Sequence, residues 1–259
     1  MTKHLRRLVP LLNASHEFGL DPIAALRSLR ALPYFLANAR RYRAAPPERN
    51  FALKFRHSFF TTGDRFRPAG VTANHIFWQG LWAADHLYRT GVHKHVDVAS
   101  SVAGFIAHIL PFCEVTYVDL RPLRASWPTL HYVSGSILAL PFADRSVASL
   151  SCLHVLEHVG LGRYGDAVDP GAHRLAAAEL RRVLAPEGTL LFSAPVGRER
   201  LRFDAHRIFD PATIEELFRP LTLRAFHLIP DPSDHVINNA RFEEARSCEF
   251  GCGLFVFEH

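Results

Sequence analysis

Apolar and polar positions alternate in two distinct regimes along this chain. From His95 onward, short apolar runs are separated by stretches of helical periodicity, the pattern of a parallel, doubly wound α/β sheet. Strands are expected at 96–99, 114–120, 130–134, 147–153, 189–196, 221–229 and 254–257. The run 147–153 carries no charge, as befits a strand covered on both faces. Helices are expected through Leu110, at 172–184, and at 211–218 with Asp210 as cap. The polar stretch 231–247 reads as either an acceptor lid or a connection.

Before His95 the pattern is helical and basic. Asp21 and Pro22 suit an N-cap and a first helical position, and a helix is expected through Arg30. After Pro33, residues 34–43 repeat that character until Pro46 and Pro47 mark a linker. Residues 51–67 alternate aromatic and basic side chains, with loops around Gly63 and Gly70. A helix at 71–88 carries the aromatic stripe Phe77, Trp78, Trp82 and Tyr88, with His75, Gln79 and Asp85 as its polar members. The expected division is a basic helical extension at 1–57 and an α/β domain at 58–259.

Charge sharpens this division. Residues 1–57 hold 11 Lys and Arg against 3 Asp and Glu, a balance of +8 in a chain whose total is +5, which leaves −3 for the rest. Such an arm can lie on an anionic membrane surface, bind an acidic partner, or pack as a helix pair with a solvated arginine face. No nucleic-acid motif accompanies the charge. No apolar run approaches the ~20 residues of a membrane helix, and the amino terminus lacks a signal-peptide pattern. The four cysteines, Cys113, Cys152, Cys248 and Cys252, form no Cys-x-x-Cys pair, so a cytoplasmic setting and no metal are expected.

Candidate chemistry gathers where the run 147–153 stops. Ligands of open α/β sheets bind beyond the carboxyl ends of strands, which places His154, Glu157, His158, Arg163, Tyr164 and Asp166 near a substrate. Asp119 follows Asp97 by 22 residues, a spacing suited to a carboxylate that accepts ribose hydroxyls. Gly-x-Gly-x-x-Gly is absent after the first strand, which disfavours a nicotinamide enzyme.

Asp97-x-Ala99-x-Ser101-x-Ala103, Asp119, Leu140-Pro141-Phe142, His154-Val155-Leu156-Glu157-His158 and the segment from Leu180 to Gly188 together resemble the class I S-adenosylmethionine-dependent methyltransferases. Residues 160–166, 204–209 and 251–257 resemble a domain-of-unknown-function branch often associated with surface-polysaccharide genes. The resemblance implies a Rossmann-like, seven-stranded, mostly parallel sheet with an antiparallel last strand, and S-adenosylmethionine as cofactor. It implies cofactor contacts by Asp97, Ala99, Ser101 and Gly104 at the methionine end, by Asp119 and Leu120 at the ribose, by Ser136 and Ile137 at the adenine, and by Cys152 and Leu153 beside the sulfonium. It also implies O-methylation of a sugar, glycan or related small molecule. His154 is the first choice of base, because imidazole titrates near neutral pH, with Glu157 and His158 as rivals. Arg163, Tyr164, Asp166, His206 and Arg207 would face the acceptor, although 160–166 also reads as a rigid glycine turn. Ala99, Ser101 and Ala103 stand where the superfamily usually has glycine, which leaves a non-catalytic adaptor in glycan assembly as the competing function.

Overall fold

The computed structural model describes residues 18–46, 51–58, 64–66, 74–231 and 235–259. Expectations for the amino-terminal segment, the loops around Gly63 and Gly70, the linker at Pro47 and the first residues of the 71–88 helix lie outside the described residues. The chain divides into two compact units, Met1–Val71 and Thr72–His259.

In the first unit, helix α1 spans Pro22–Ala44, and the Asp21 carboxylate accepts from Ala24 N at 2.8 Å. A single helix thus replaces the expected pair. Pro33 lies inside it, removing one backbone donor without ending the helix. Ala31 is its one buried residue among those described, and Ile23, Leu26 and Leu29 are exposed. Arg30 lies over the Phe66 ring at 4.6 Å and Arg65 over Tyr34 at 4.0 Å.

The second unit is built on a seven-stranded sheet. Its strands are β1 (Lys94–Val98), β2 (Glu114–Asp119), β3 (Leu130–Ser134), β4 (Val147–Leu153), β5 (Leu184–Val196), β8 (Thr222–Ile229) and β9 (Gly251–Glu258), in the order β3-β2-β1-β4-β5-β9-β8. β1 to β5 are parallel, and β9 runs antiparallel to both β5 and β8. A small hairpin of β6 (Arg200–Arg202) and β7 (His206–Ile208) occupies what the sequence shows only as an arginine-rich loop. β5 begins five residues earlier than expected, at Leu184 rather than Thr189, since Leu184 pairs with Val147 ahead of a register shift.

Apolar residues are buried on both faces of this sheet. On one, α4 (Ala172–Val183) and α5 (Pro211–Leu217) contribute Ala176, Leu180, Val183 and Ile214 to a core with Leu150, Phe192 and Phe255. On the other, α2 (His75–Arg89) sets Ala83, Ala84 and Leu87 against Phe105, Ile106 and Leu153. The Leu140-Pro141-Phe142 loop is fastened to α4: Glu179 accepts from Leu140 N at 3.0 Å, and Arg182 donates to the carbonyls of Leu140 and Phe142 at 3.1 and 2.9 Å. α6 (Phe242–Ser247) lies in the stretch read as lid or connection.

The chain after β1 enters a π-helical turn, Val102–Ile106, which continues into α3 (Ala107–Ile109). α2 approaches this turn so closely that a Cβ on Gly80 would stand 1.7 Å from the Gly104 carbonyl oxygen. Backbone against backbone has no side chain to move aside. Gly80→Ala is therefore expected to cost about 1–3 kcal/mol and lower the melting temperature by roughly 2–10 °C. An unchanged thermal melt would contradict this packing.

Candidate active site

The first element of the site is a buried carboxylate. Asp97, near the end of β1, pairs with Ser151 in the β1–β4 register and is fully buried. Its Oδ1 accepts from Ser100 N at 2.9 Å, and its Oδ2 accepts from the hydroxyls of Ser100 and Ser151, both at 2.5 Å. Ser100 Oγ in turn accepts from Leu153 N at 3.0 Å. His95 completes the chain, with Nε2 at 2.8 Å from Ser151 Oγ and Nδ1 at 2.7 Å from Ser149 Oγ. Burial lowers the His95 pKa to about 3, so the ring is neutral and serves as one donor and one acceptor. Burial pushes the Asp97 carboxyl up to about 6 against the pull of its hydrogen bonds.

This network pins the turn after β1 to the end of β4. The chain leaves β1 through Ala99, whose φ of 57° is the left-handed conformation that glycine adopts freely. The backbone thus takes the form a glycine would give it, with a Cβ added. Ser101 and Gly104 serve the next turn: Ser101 Oγ accepts from Gly104 N at 3.0 Å, and a Cβ on Gly104 would meet Ile76 at 2.2 Å.

A cleft opens beyond these strand ends, where ligands of open α/β sheets bind. It lies beside the point where strand order reverses between β1 and β4. Its walls come from Val98 and Ala99, from Val118 to Arg121, from Gly135 to Leu138, from His154 and Val155, and from His158, Val159, Tyr164, Asp166 and Ala167. The structure thus gathers Ala99, Asp119, Leu120, Ser136, Ile137, His154, His158, Tyr164 and Asp166 in one cavity. Asp97, Cys152 and Leu153 are buried beneath it, and Ser101, Gly104, Glu157, Arg163, His206 and Arg207 are outside its lining.

Asp119 ends β2 with its carboxylate engaged. Arg121 donates to it from the backbone N at 2.8 Å, from Nε at 3.1 Å and from Nη2 at 2.8 Å. Burial would raise this carboxyl, but the bonds from Arg121 hold it below the usual carboxylate range. The same guanidinium lies 4.7 Å from the centre of the Tyr164 ring. Sequence reading did not single out Arg121; its signal is a cation two residues after an acidic strand end.

Histidines collect at the end of β4. His154 has φ 56°; its Nδ1–H donates to Glu157 Oε1 at 2.7 Å, and its Nε2 stands 3.2 Å from Cys252 Sγ. Burial opposes charge on His154, yet the Cys252 sulfur and the Glu157 carboxylate raise its pKa to about 10. Glu157 is fully buried, its Oε2 has no protein partner, and His154 and His158 hold its carboxyl low against the effect of burial. His158 Nδ1–H donates to the Ala205 carbonyl at 2.6 Å, while its Nε2 lies 3.7 Å from Glu157 Oε1. His75 and His206 flank the Phe250 ring at 5.0 and 4.9 Å between centroids, and burial lowers each to about 4.

The following loop is a built turn. Gly160, Gly162 and Gly165 have positive φ, and Asp166 accepts from the backbone N of Gly160 at 2.7 Å. Arg163 donates to the Ala205 carbonyl at 2.9 Å. Arg207 donates to the carbonyls of Val159 and Pro170 at 2.7 and 3.2 Å, tying the loop to β7.

Residues 144–241 match a family model described as Caenorhabditis protein of unknown function, DUF268. No curated protein matches the chain. Among solved structures, the chain is similar to the 1,6-didemethyltoxoflavin-N1-methyltransferase of Burkholderia thailandensis, solved with 1,6-didemethyltoxoflavin and S-adenosylhomocysteine. The identity is 16%, the TM-score 0.50, and the match covers 69% of this chain and 77% of that one. N-methyltransferase NodS of Bradyrhizobium japonicum WM9, in complex with S-adenosylhomocysteine, aligns at 17% identity and TM-score 0.48 over 69% of this chain and 86% of that one. The fold is that of the class I methyltransferases.

The Asp97 network has a pH signature. Its carboxyl rises from an ordinary value of 3.8 to about 6 on folding, so the fold binds that proton more tightly. The resulting stability is fully present below about pH 4 and declines as pH rises through about 6, by at most about 1.4 kcal/mol per pH unit. Asp97→Asn removes this dependence. Its melting temperature, taken relative to the natural chain, is expected to move in the variant's favour between about pH 4 and 7; a constant difference would contradict the assignment.

Proposed function

We propose that the chain is an S-adenosylmethionine-dependent methyltransferase whose acceptor is a small hydroxyl-bearing molecule such as a sugar. The observation that carries this reading is the cleft across the ends of β1, β2, β3 and β4, with the Asp119 carboxylate at its rim. The same fold in the Burkholderia enzyme holds S-adenosylhomocysteine.

The residues present fit such a cofactor. Asp119 offers two oxygens to ribose hydroxyls. Val118, Leu120, Ile137 and Leu138 offer apolar walls to a base, with Ser136 beside them. The Ala99 turn has the backbone form that lets a ligand approach β1. Arg121 must release Asp119; its side chain is 56% exposed and free to swing into solvent, and ribose hydroxyls would replace its hydrogen bonds to the buried carboxylate.

When bound, the cofactor supplies a methyl group on a positively charged sulfur. The protein must then orient the acceptor and take its hydroxyl proton. The geometry favours His158 for this role over His154. His158 Nδ1–H is committed to the Ala205 carbonyl, which leaves the Nε2 lone pair as acceptor, and an imidazolium formed there lies 3.7 Å from the Glu157 carboxylate. His154 has both ring nitrogens engaged and acts as a positioning residue.

A second reading, a non-catalytic adaptor, draws support from Arg121 seated on Asp119, and it would assign basic α1 to docking on an acidic partner or membrane surface. Calorimetric titration with S-adenosylhomocysteine separates the two. The natural chain is expected to bind with micromolar affinity, about −8 kcal/mol; Asp119→Ala is expected to bind at least about tenfold more weakly, and Arg121→Ala equally or more tightly. His158→Ala should keep that affinity and lower methyl transfer in an acceptor screen by about 10²–10⁴-fold. No binding by the folded natural chain would overturn the enzyme reading, and unchanged affinity in Asp119→Ala would remove that residue's role.

A further inference from the structure

Three donor atoms of different elements converge behind His154. His75 opens α2, His154 follows β4 and Cys252 lies in β9. One ligand-type atom from each lies within 4.8 Å of the others. A tetrahedral ion with bonds of about 2.0–2.3 Å holds its nitrogen and sulfur donors roughly 3.3–3.8 Å apart, so a movement of about an ångström closes this triangle. His75 can make that movement, because it is the first residue of its helix and only partly buried.

The surroundings are those of a metal ligand. Metal-bound histidine ordinarily donates its second ring N–H to a carboxylate, a backbone carbonyl or water, which fixes the tautomer and leaves the other nitrogen for the ion. His154 does this with Glu157 at 2.7 Å, and its Nε2 faces the Cys252 sulfur. Glu157 is fully buried and its Oε2 has no protein partner, so one acceptor atom of the carboxylate behind His154 is left unmatched inside the protein. The His75 ring stacks on Phe250 at 5.0 Å between centroids, a contact along which it can slide.

We propose that His75, His154 and Cys252 form a divalent metal site, best matched by Zn²⁺, with Glu157 as the carboxylate behind His154. Two imidazoles and one thiolate suit Zn²⁺ by donor type, and three protein ligands leave a fourth position for water or another ligand. Binding replaces the thiol proton of Cys252, and any proton on His154 Nε2, with the ion; those protons pass to solvent. Cys248 takes no part: its sulfur donates to the Glu244 carbonyl at 3.5 Å. The proposal rests on these donor atoms alone and does not require the cofactor to bind.

The test uses the full chain, loaded with Zn²⁺ and assayed for metal content after gel filtration, and separately loaded with Co²⁺ and read by absorption. One ion per chain is expected, with a thiolate-to-cobalt charge-transfer band. Cys252→Ser should abolish the band, and His75→Ala and Glu157→Gln should each weaken metal affinity by at least about tenfold, while Cys248→Ser changes neither. Circular dichroism checks folding; should the buried Cys252→Ser fail to fold, His75→Ala, at a partly exposed helix start, decides. Substoichiometric metal in the natural chain, or a bound ion that survives His75→Ala unchanged, would overturn the proposal.

Discussion

Everything at the mouth of the cleft depends on the solvation of one buried carboxylate. Asp97 sits at the end of β1, where water does not reach it, and burying an unpartnered charge there would cost several kcal/mol. Two serine hydroxyls and one backbone N–H supply its solvation, and those donors come from the next turn and from the neighbouring strand. Satisfying Asp97 therefore means fixing the turn after β1 against β4. That fixed turn forces Ala99 into a left-handed conformation and opens the space that Asp119 and the exits of β3 and β4 enclose. Stability and ligand geometry are here the same set of hydrogen bonds.

A second buried carboxylate organises the acceptor side. Glu157 lies below the cleft between His154 and His158, and each histidine has its other contact on a different element: Cys252 of β9 for His154, the Ala205 carbonyl before β7 for His158. Low dielectric makes such contacts strong when satisfied and costly when not. The two histidines, four residues apart in sequence, thereby acquire different tasks, one held by partners on both nitrogens and one with a nitrogen left for chemistry.

The α/β architecture was legible because parallel strands covered on both faces must be short and apolar, and 147–153 is both. That Asp119, His154, His158, Tyr164 and Asp166 border one cleft was legible for a related reason: the crevice of an open sheet lies beyond its strand ends. What escaped were the partners. Cys252 is 98 residues from His154 and meets it only because β9 inserts between β5 and β8, an order that local pattern does not encode. Arg121 on Asp119, and Arg207 tying the loop to β7, depend on rotamers rather than periodicity. Pro33 suggested a break in α1, but one missing donor in a 23-residue helix does not outweigh the bonds on either side.

The most direct measurement is a crystal structure of the chain with S-adenosylhomocysteine. Ribose hydroxyls are expected within hydrogen-bond distance of both Asp119 oxygens, with the Arg121 guanidinium turned away and the base against Ile137. A structure grown at saturating ligand with Arg121 still seated on Asp119 and no nucleoside in the cleft would contradict this.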